Sequence, residues 1–248
     1  MSKKVYFLSL FLIFSLTCFG QVELSSDSEA VKTEKKKKRL DENKANSIEA
    51  FVITNWSFTT RSLIENVAPY GDTLGTRNDE GGLGTWSYGI GIRSKINNFL
   101  TWEGGISFWQ NGESYLFEGG DSTFKYETTY TYIGMPLKIQ YSFGDKAVEV
   151  FAGIGISPQM FVSYKREEEY TNPVNETLQE TVKTKSGYNS FVLSALLNVG
   201  VKLNLGSKVN LLIVPEYRHQ LITSYQKQDD FKHFGRAIGI NFGISYNL

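Results

Sequence analysis

Thr85-Trp86-Ser87-Tyr88-Gly89-Ile90-Gly91-Ile92-Arg93-Ser94-Lys95-Ile96 alternates from end to end. Trp86, Tyr88, Ile90, Ile92 and Ile96 fall on one side; Thr85, Ser87, Gly89, Gly91, Arg93 and Lys95 fall on the other. A period of two marks a β-strand, because successive side chains of a pleated backbone point to opposite faces. The face opposite the large apolar residues is small and polar, with two cations at its C-terminal end. It is not the Lys- and Glu-rich face that a strand shows to water.

The same pattern returns along the chain. Val148, Val150, Ala152, Ile154, Ile156, Met160 and Val162 oppose Glu149, Phe151, Gly153, Gly155, Ser157 and Gln159. Near the end, Phe234, Ile238, Ile240, Phe242, Ile244, Tyr246 and Leu248 oppose Gly235, Ala237, Gly239, Asn241, Gly243, Ser245 and Asn247. Eight such segments are expected, at about 49–60, 85–96, 99–117, 123–143, 148–165, 186–204, 209–226 and 233–247. Their connections alternate. Asn97-Asn98, Gly144 to Ala147 and Gly206 to Lys208 are short, whereas 61–84, 118–122, 166–185 and 227–232 serve as the longer loops. An even number of strands with short turns at one end and longer loops at the other is the layout of an up-and-down transmembrane barrel. The expected fold is therefore all-β, an eight-stranded antiparallel up-and-down transmembrane β-barrel.

A soluble lipocalin-like barrel has the same alternation with its faces reversed. Against it stand the small polar face, suited to a crowded lumen, and aromatic residues near both strand ends. Trp56, Phe58, Trp86, Tyr88, Phe108 and Phe234 would form a girdle toward the loops. Trp102, Tyr141, Phe143 and Tyr246 would form a second toward the turns, as bilayer interfaces favour. The same phase turns Arg93, Lys95, Glu103, Lys138, Glu149, Lys202, Glu216 and Arg218 into the lumen. Five of these are basic and three acidic, so a salt-bridged plug is expected, since unpaired buried charge is costly. Pro136 lies mid-strand and marks an irregularity, because it lacks a ladder donor.

Composition narrows the function classes. The 248 residues carry 26 basic and 26 acidic side chains, which argues against nucleic-acid binding by bulk charge. One Cys and two His exclude zinc ribbons and disulfide scaffolds, and no cofactor or metal site is expected. Residues 1–20 read as a signal peptide: Lys3 and Lys4, an apolar run from Val5 to Leu16, then Cys18-Phe19-Gly20. Residues 21–48 read as a charged periplasmic tether, disordered or partly helical, with Lys35 to Arg39 in a row. Residues 49–248 are left as the barrel.

Tyr132-Ile133-Gly134-Met135-Pro136-Leu137-Lys138-Ile139-Gln140-Tyr141 resembles the Ile-Pro-Leu strand of the PorT-like outer-membrane β-barrel proteins of Bacteroidetes. Ala152-Gly153-Ile154-Gly155 and Pro215-Glu216-Tyr217-Arg218 resemble two further strands of that family. The resemblance spans about 50–248 and implies an outer-membrane location, extracellular loops and periplasmic termini. It carries no catalytic motif. The four loops hold 13 acidic and 7 basic residues, read as a solvated rim, with divalent ions shared with lipopolysaccharide as the alternative. Asp72-Thr73-Leu74 and Asp121-Ser122-Thr123 fit an O-glycosylation pattern at Thr73 and Ser122.

The expected function is that of a structural or docking protein, monomeric, non-enzymatic, and working through loops 61–84 and 166–185 or through the tether. Its partners would be outer-membrane lipid, lipopolysaccharide and an envelope protein. Narrow-pore transport and a lipid-modifying enzyme are the alternatives. For the latter, His219 sits with Tyr217 on the outward face while Ser224 and Glu216 lie on the other, and His233 reads as a loop histidine.

Overall fold

The structure, a computed structural model, describes residues 48–63, 79–119, 121–144, 147–174, 176–226 and 232–248. The expected signal peptide, Cys18, the tether before Ile48 and Thr73 lie outside the described residues. All regular structure is antiparallel β. The strands are β1 (Ile48–Leu63), β2 (Gly81–Lys95), β3 (Leu100–Gly119), β4 (Ser122–Gly134), β5 (Leu137–Gly144), β6 (Val148–Thr171), β7 (Thr177–Thr184), β8 (Phe191–Asn204), β9 (Val209–Gln220) and β10 (His233–Asn247).

Nine of these ten strands make eight staves, and β7, which pairs with β6, lies off the ring. β4 and β5 are one stave interrupted at Met135-Pro136, since both pair with β3 on one side and β6 on the other. Pro136 has no amide hydrogen to give, but its carbonyl accepts from the Gly105 amide at 3.2 Å, and Met135 donates to Pro158 at 2.9 Å. The break is thus bridged. The ring closes where β1 pairs with β10 over fifteen positions, Glu49 with Asn247 through Leu63 with His233.

Register fixes the barrel's width. Paired residues lead from Ala50 to Ile92, Gly104, Leu137, Ile156, Ala195, His219, Arg236 and back to β1 at Thr60. One circuit climbs from position 50 to 60, so the stagger is ten residues. At roughly 3.3 Å per residue and 4.8 Å between strands, this tilts the strands by about 40°. Eight staves at that tilt leave a bore that side chains fill.

The faces sort as the alternation requires. Val52, Trp56, Ile90, Ile106, Ile139, Ile154, Leu197, Val199, Ile238 and Ile244 are exposed on the outside. Phe51, Phe151, Leu212 and Val214 pack together inside one end. Trp109, Tyr130, Tyr132, Val192 and Leu196 pack toward the other. A bulge opposite Thr131 and Tyr132 sets Val162 out of register, so the alternation of β6 ends at Met160 and restarts beyond it.

Two expected loops are corrected. Segment 166–185 is β6 continuing to Thr171 and returning as β7. Segment 118–122 is a tight turn, with Gly119 paired to Ser122. Its charge pattern hid the first, because both faces of a strand standing in water carry polar residues.

Close packing inside the wall depends on Gly91, opposite Gly105. A β-carbon on Gly91 would lie 2.4 Å from the Gly104 carbonyl oxygen and 2.7 Å from the Phe51 ring. Gly91→Val is therefore expected to destabilise the barrel by about 1–3 kcal/mol by overpacking. Urea unfolding in lipid vesicles reads this as an earlier midpoint, and an unchanged midpoint would refute the close approach.

Candidate functional site

The interior carries a ladder of charges built on alternate positions of seven staves. At the end holding the short turns, Lys202 reaches Glu49 at 2.9 Å and Glu149 at 3.0 Å. Glu149 also takes Lys95 at 3.3 Å. Farther along, Lys138 lies between Glu103 at 3.1 Å and Glu216 at 2.6 Å. Glu103 is shared with Arg93 at 3.3 Å, and Gln140 joins Arg93 to the Glu103 carboxylate. Among the described residues Arg218 has no carboxylate within ion-pair distance. It donates to Asn111 Oδ1 at 2.6 Å and lies over the Trp109 ring at 3.9 Å. The eight inward charges read from the phase thus point inside. Glu49 is a further carboxylate that the reading missed, lying at the very start of β1.

Little open space remains between these groups. A void of about 20 Å³ is lined by Phe51, Asn55, Ser107, Lys138, Glu216 and Asn241, about the space of one water. Each carboxylate of the ladder contacts a cation that belongs to a different stave. The ladder is thus a set of transverse braces, and it gives an ion no continuous file of free ligands.

Aromatic side chains mark where the wall leaves the bilayer. Trp56 pairs with Trp86 and Tyr88 with Phe108 toward the loops, and Phe234 is half-buried on the same side. Phe99 stacks on Tyr141 at the turn end, where Trp102, Phe143 and Tyr246 are also exposed. On β3 the continuous run of large lipid-facing residues stops at Phe108, with Leu116 exposed singly farther out, and on β4 it stops at Ile133. Beyond them β3, β4, β6 and β7 continue as a four-stranded sheet. Its outer face is charged, with Lys125 beside Glu127 and Lys165 beside Glu167. Its inner face is aromatic: Tyr115 stacks on Tyr126 at 5.1 Å, Phe124 leans on both, and Arg166 lies 4.1 Å over Tyr126. Leu178 and Val182 of β7 extend that face and remain exposed.

A second ion cluster sits where this sheet meets the barrel mouth. Arg61 pairs with Glu80 and, at 3.2 Å, with Glu113; Glu80 accepts from Tyr126, and Tyr130 donates to Glu113 at 3.1 Å. Arg61 and Glu80 fall within 61–84, the segment expected as a loop, and Glu113 lies outside the inward charges that the alternation picks out. Glu113 stands five residues beyond Phe108, outside the membrane band. Burial pushes its carboxyl up to about 7; Arg61 pulls the other way and the neighbouring Glu80 charge adds to the rise.

The two histidines are apart. His219 faces outward on β9 and stacks on Tyr217. His233 is corrected from a loop residue to a fully buried one, its ring 4.5 Å from Tyr130 and 5.2 Å from Tyr225. Ser224 is committed to Tyr132 and Gln220. Ser122 donates to the Gly119 carbonyl at 3.2 Å within its turn. Among the described residues no three His, Cys, Asp or Glu side chains are grouped to hold a metal ion.

Residues 53–247 match the sequence model of a family described as outer membrane protein beta-barrel domain. No curated protein matches the chain. Solved structures it is similar to include Neisserial surface protein A, at 13% identity and TM-score 0.42 over 81% of this chain and 97% of that one. OprG from Pseudomonas aeruginosa follows at 11% and 0.42, over 83% and 98%. The outer membrane protease OmpT from Escherichia coli aligns at 9% and 0.42, over 82% and 97%.

Two outcomes follow. Lys138→Met leaves Glu103 and Glu216 facing each other without their shared cation and should cost about 3–5 kcal/mol. The triple change with Glu103→Gln and Glu216→Gln should recover much of that, by urea unfolding in vesicles; no recovery would show that the braces are not coupled. For Glu113, a raised folded pKa means a contribution present below the unfolded pKa, near 4.5, and lost as pH rises through about 7. Wild type should lose more stability between pH 5 and pH 8 than Glu113→Gln; equal losses would contradict the raised value.

Proposed function

The chain belongs to the outer membrane protein beta-barrel domain family and so resides in the outer membrane, and we propose that it is a non-enzymatic docking protein held there by a closed, braced barrel. The observation that carries this reading is the sheet of β3, β4, β6 and β7 standing beyond the membrane band. β7 pairs with β6 alone among the described residues, leaving an edge where an extended segment of a partner can add as a strand. Leu178 and Val182 lie on one face of it, either side of Glu180, as apolar side-chain contacts for such a partner.

The proposed orientation has the sheet outside the cell and both chain termini in the periplasm. It is supported by the short turns 97–98, 144–147 and 206–208 gathered at the end where β1 begins and β10 finishes, and by the leader-like residues 1–20. The finer assignment to the PorT-like proteins of Bacteroidetes is part of the proposal. It rests on the Met135-Pro136-Leu137 stretch and the two shorter strand motifs. The non-enzymatic part rests on Ser224 and Glu216 facing inward while His219 faces outward.

The test is site-specific photocrosslinking in intact cells. A probe at Gln179 or Lys183 on β7 should give a discrete protein adduct, and one at Ile154 on the wall should give lipid adducts only. No protein adduct from β7 of the folded barrel would sink the docking reading. Protease added to whole cells should cut within 166–185 if the sheet is outside; protection there would reverse the orientation.

A further inference from the structure

Arg236 breaks the apolar wall. On the outward faces of β8, β9, β10 and β1 it is the one charged side chain. It is exposed and has no ion-pair partner among the described residues. A cation on a lipid-facing wall is costly unless it reaches the interface and meets an anion. Its position suits that. Ile238, two residues before it on the way out of the membrane, pairs with Phe58 of the loop-side aromatic girdle, so Arg236 lies at headgroup level.

A second polar group stands beside it. His219 is the register partner of Arg236 on β9; its ring is half-buried against Tyr217, and its buried Nδ1 has no hydrogen-bond partner. Below the pair the wall is hollowed. A groove of about 650 Å³ runs diagonally from Leu100 and Tyr141 past Ala152 and Leu197 to Tyr217 and Ile238. It is a shallow depression open along its length, of the kind an acyl chain can lie against rather than be enclosed by. Tyr217 and Ile238 are the outward residues just below His219 and Arg236, so the groove ends at the polar pair.

We propose that this wall holds one lipid with a net-anionic phosphate headgroup, its phosphate on Arg236 and His219 and an acyl chain in the groove. Charge complementarity selects the headgroup, and the nearly pure apolar lining selects the chain. The site stands whichever way the barrel is inserted; only the leaflet that supplies the lipid rests on the orientation proposed above.

The folded protein in detergent is titrated with phosphatidic acid and with zwitterionic phosphatidylcholine, and bound lipids are counted by native mass spectrometry. One phosphatidic acid should be retained in preference to phosphatidylcholine. Arg236→Gln should lower that preference roughly fivefold. Ala152→Phe, which fills the groove away from the cation, should lower retention of both lipids. Heat-modifiable gel mobility reports that each variant still folds. An unchanged preference in folded Arg236→Gln overturns the proposal. So does inorganic phosphate that displaces the lipid as well as phosphatidic acid does, since that describes an anion site without a chain. The lipid that copurifies from native membranes reads the orientation by itself: lipid A supports loops outside, and a glycerophospholipid contradicts that while leaving the site standing.

Discussion

A strand in a bilayer has no water to satisfy its edge, so every backbone amide and carbonyl at membrane depth must find another strand. Closure of β1 on β10 meets that demand, and most of the structure depends on it. Eight staves with a stagger of ten residues set a steep tilt and a narrow bore. The narrow bore in turn admits glycine and small polar residues on the inner face wherever a larger neighbour such as Phe51 crosses it. It also brings charges from opposite staves within bonding distance of one another.

Those charges follow a common arrangement. Lys138 joins Glu103 of β3 to Glu216 of β9, and Lys202 joins Glu49 of β1 to Glu149 of β6. Each cation therefore ties staves that are not neighbours in the ring. The gain from such pairs is mostly offset by the cost of removing them from water. Their clearer effect is on alternatives: a register slip of one residue would turn them toward lipid and leave them unpaired. Farther out the same role passes to Arg61, Glu80 and Glu113 and then to stacked aromatics, so the interior grades from ionic braces into an aromatic cap.

The strand pattern was open to reading because one side of each stave meets hydrocarbon and the other a crowded lumen, which imposes a period of two over most of each stave. The inward side of Arg93 or Lys138 needs nothing more than that period. Where the constraint lapses, so does the signal. β7 and the end of β6 stand in water, and Glu167 to Glu169 read as a loop. The bulge at Val162 leaves no mark in composition. His233 follows a run rich in charge, yet the fold buries it beneath Tyr130. Arg236 could have been found, since it breaks the apolar side of the last strand, but its meaning depends on the wall assembled from β8, β9 and β1.

The central claim is that the interior charges are spent on holding the barrel, leaving its outer surfaces to engage partners. Planar-bilayer recording of the folded protein tests this most directly. The account predicts a silent membrane at neutral pH, because braces and side chains fill the bore. Steady, salt-dependent single-channel steps from the folded barrel would show a continuous path through the ladder and would contradict it.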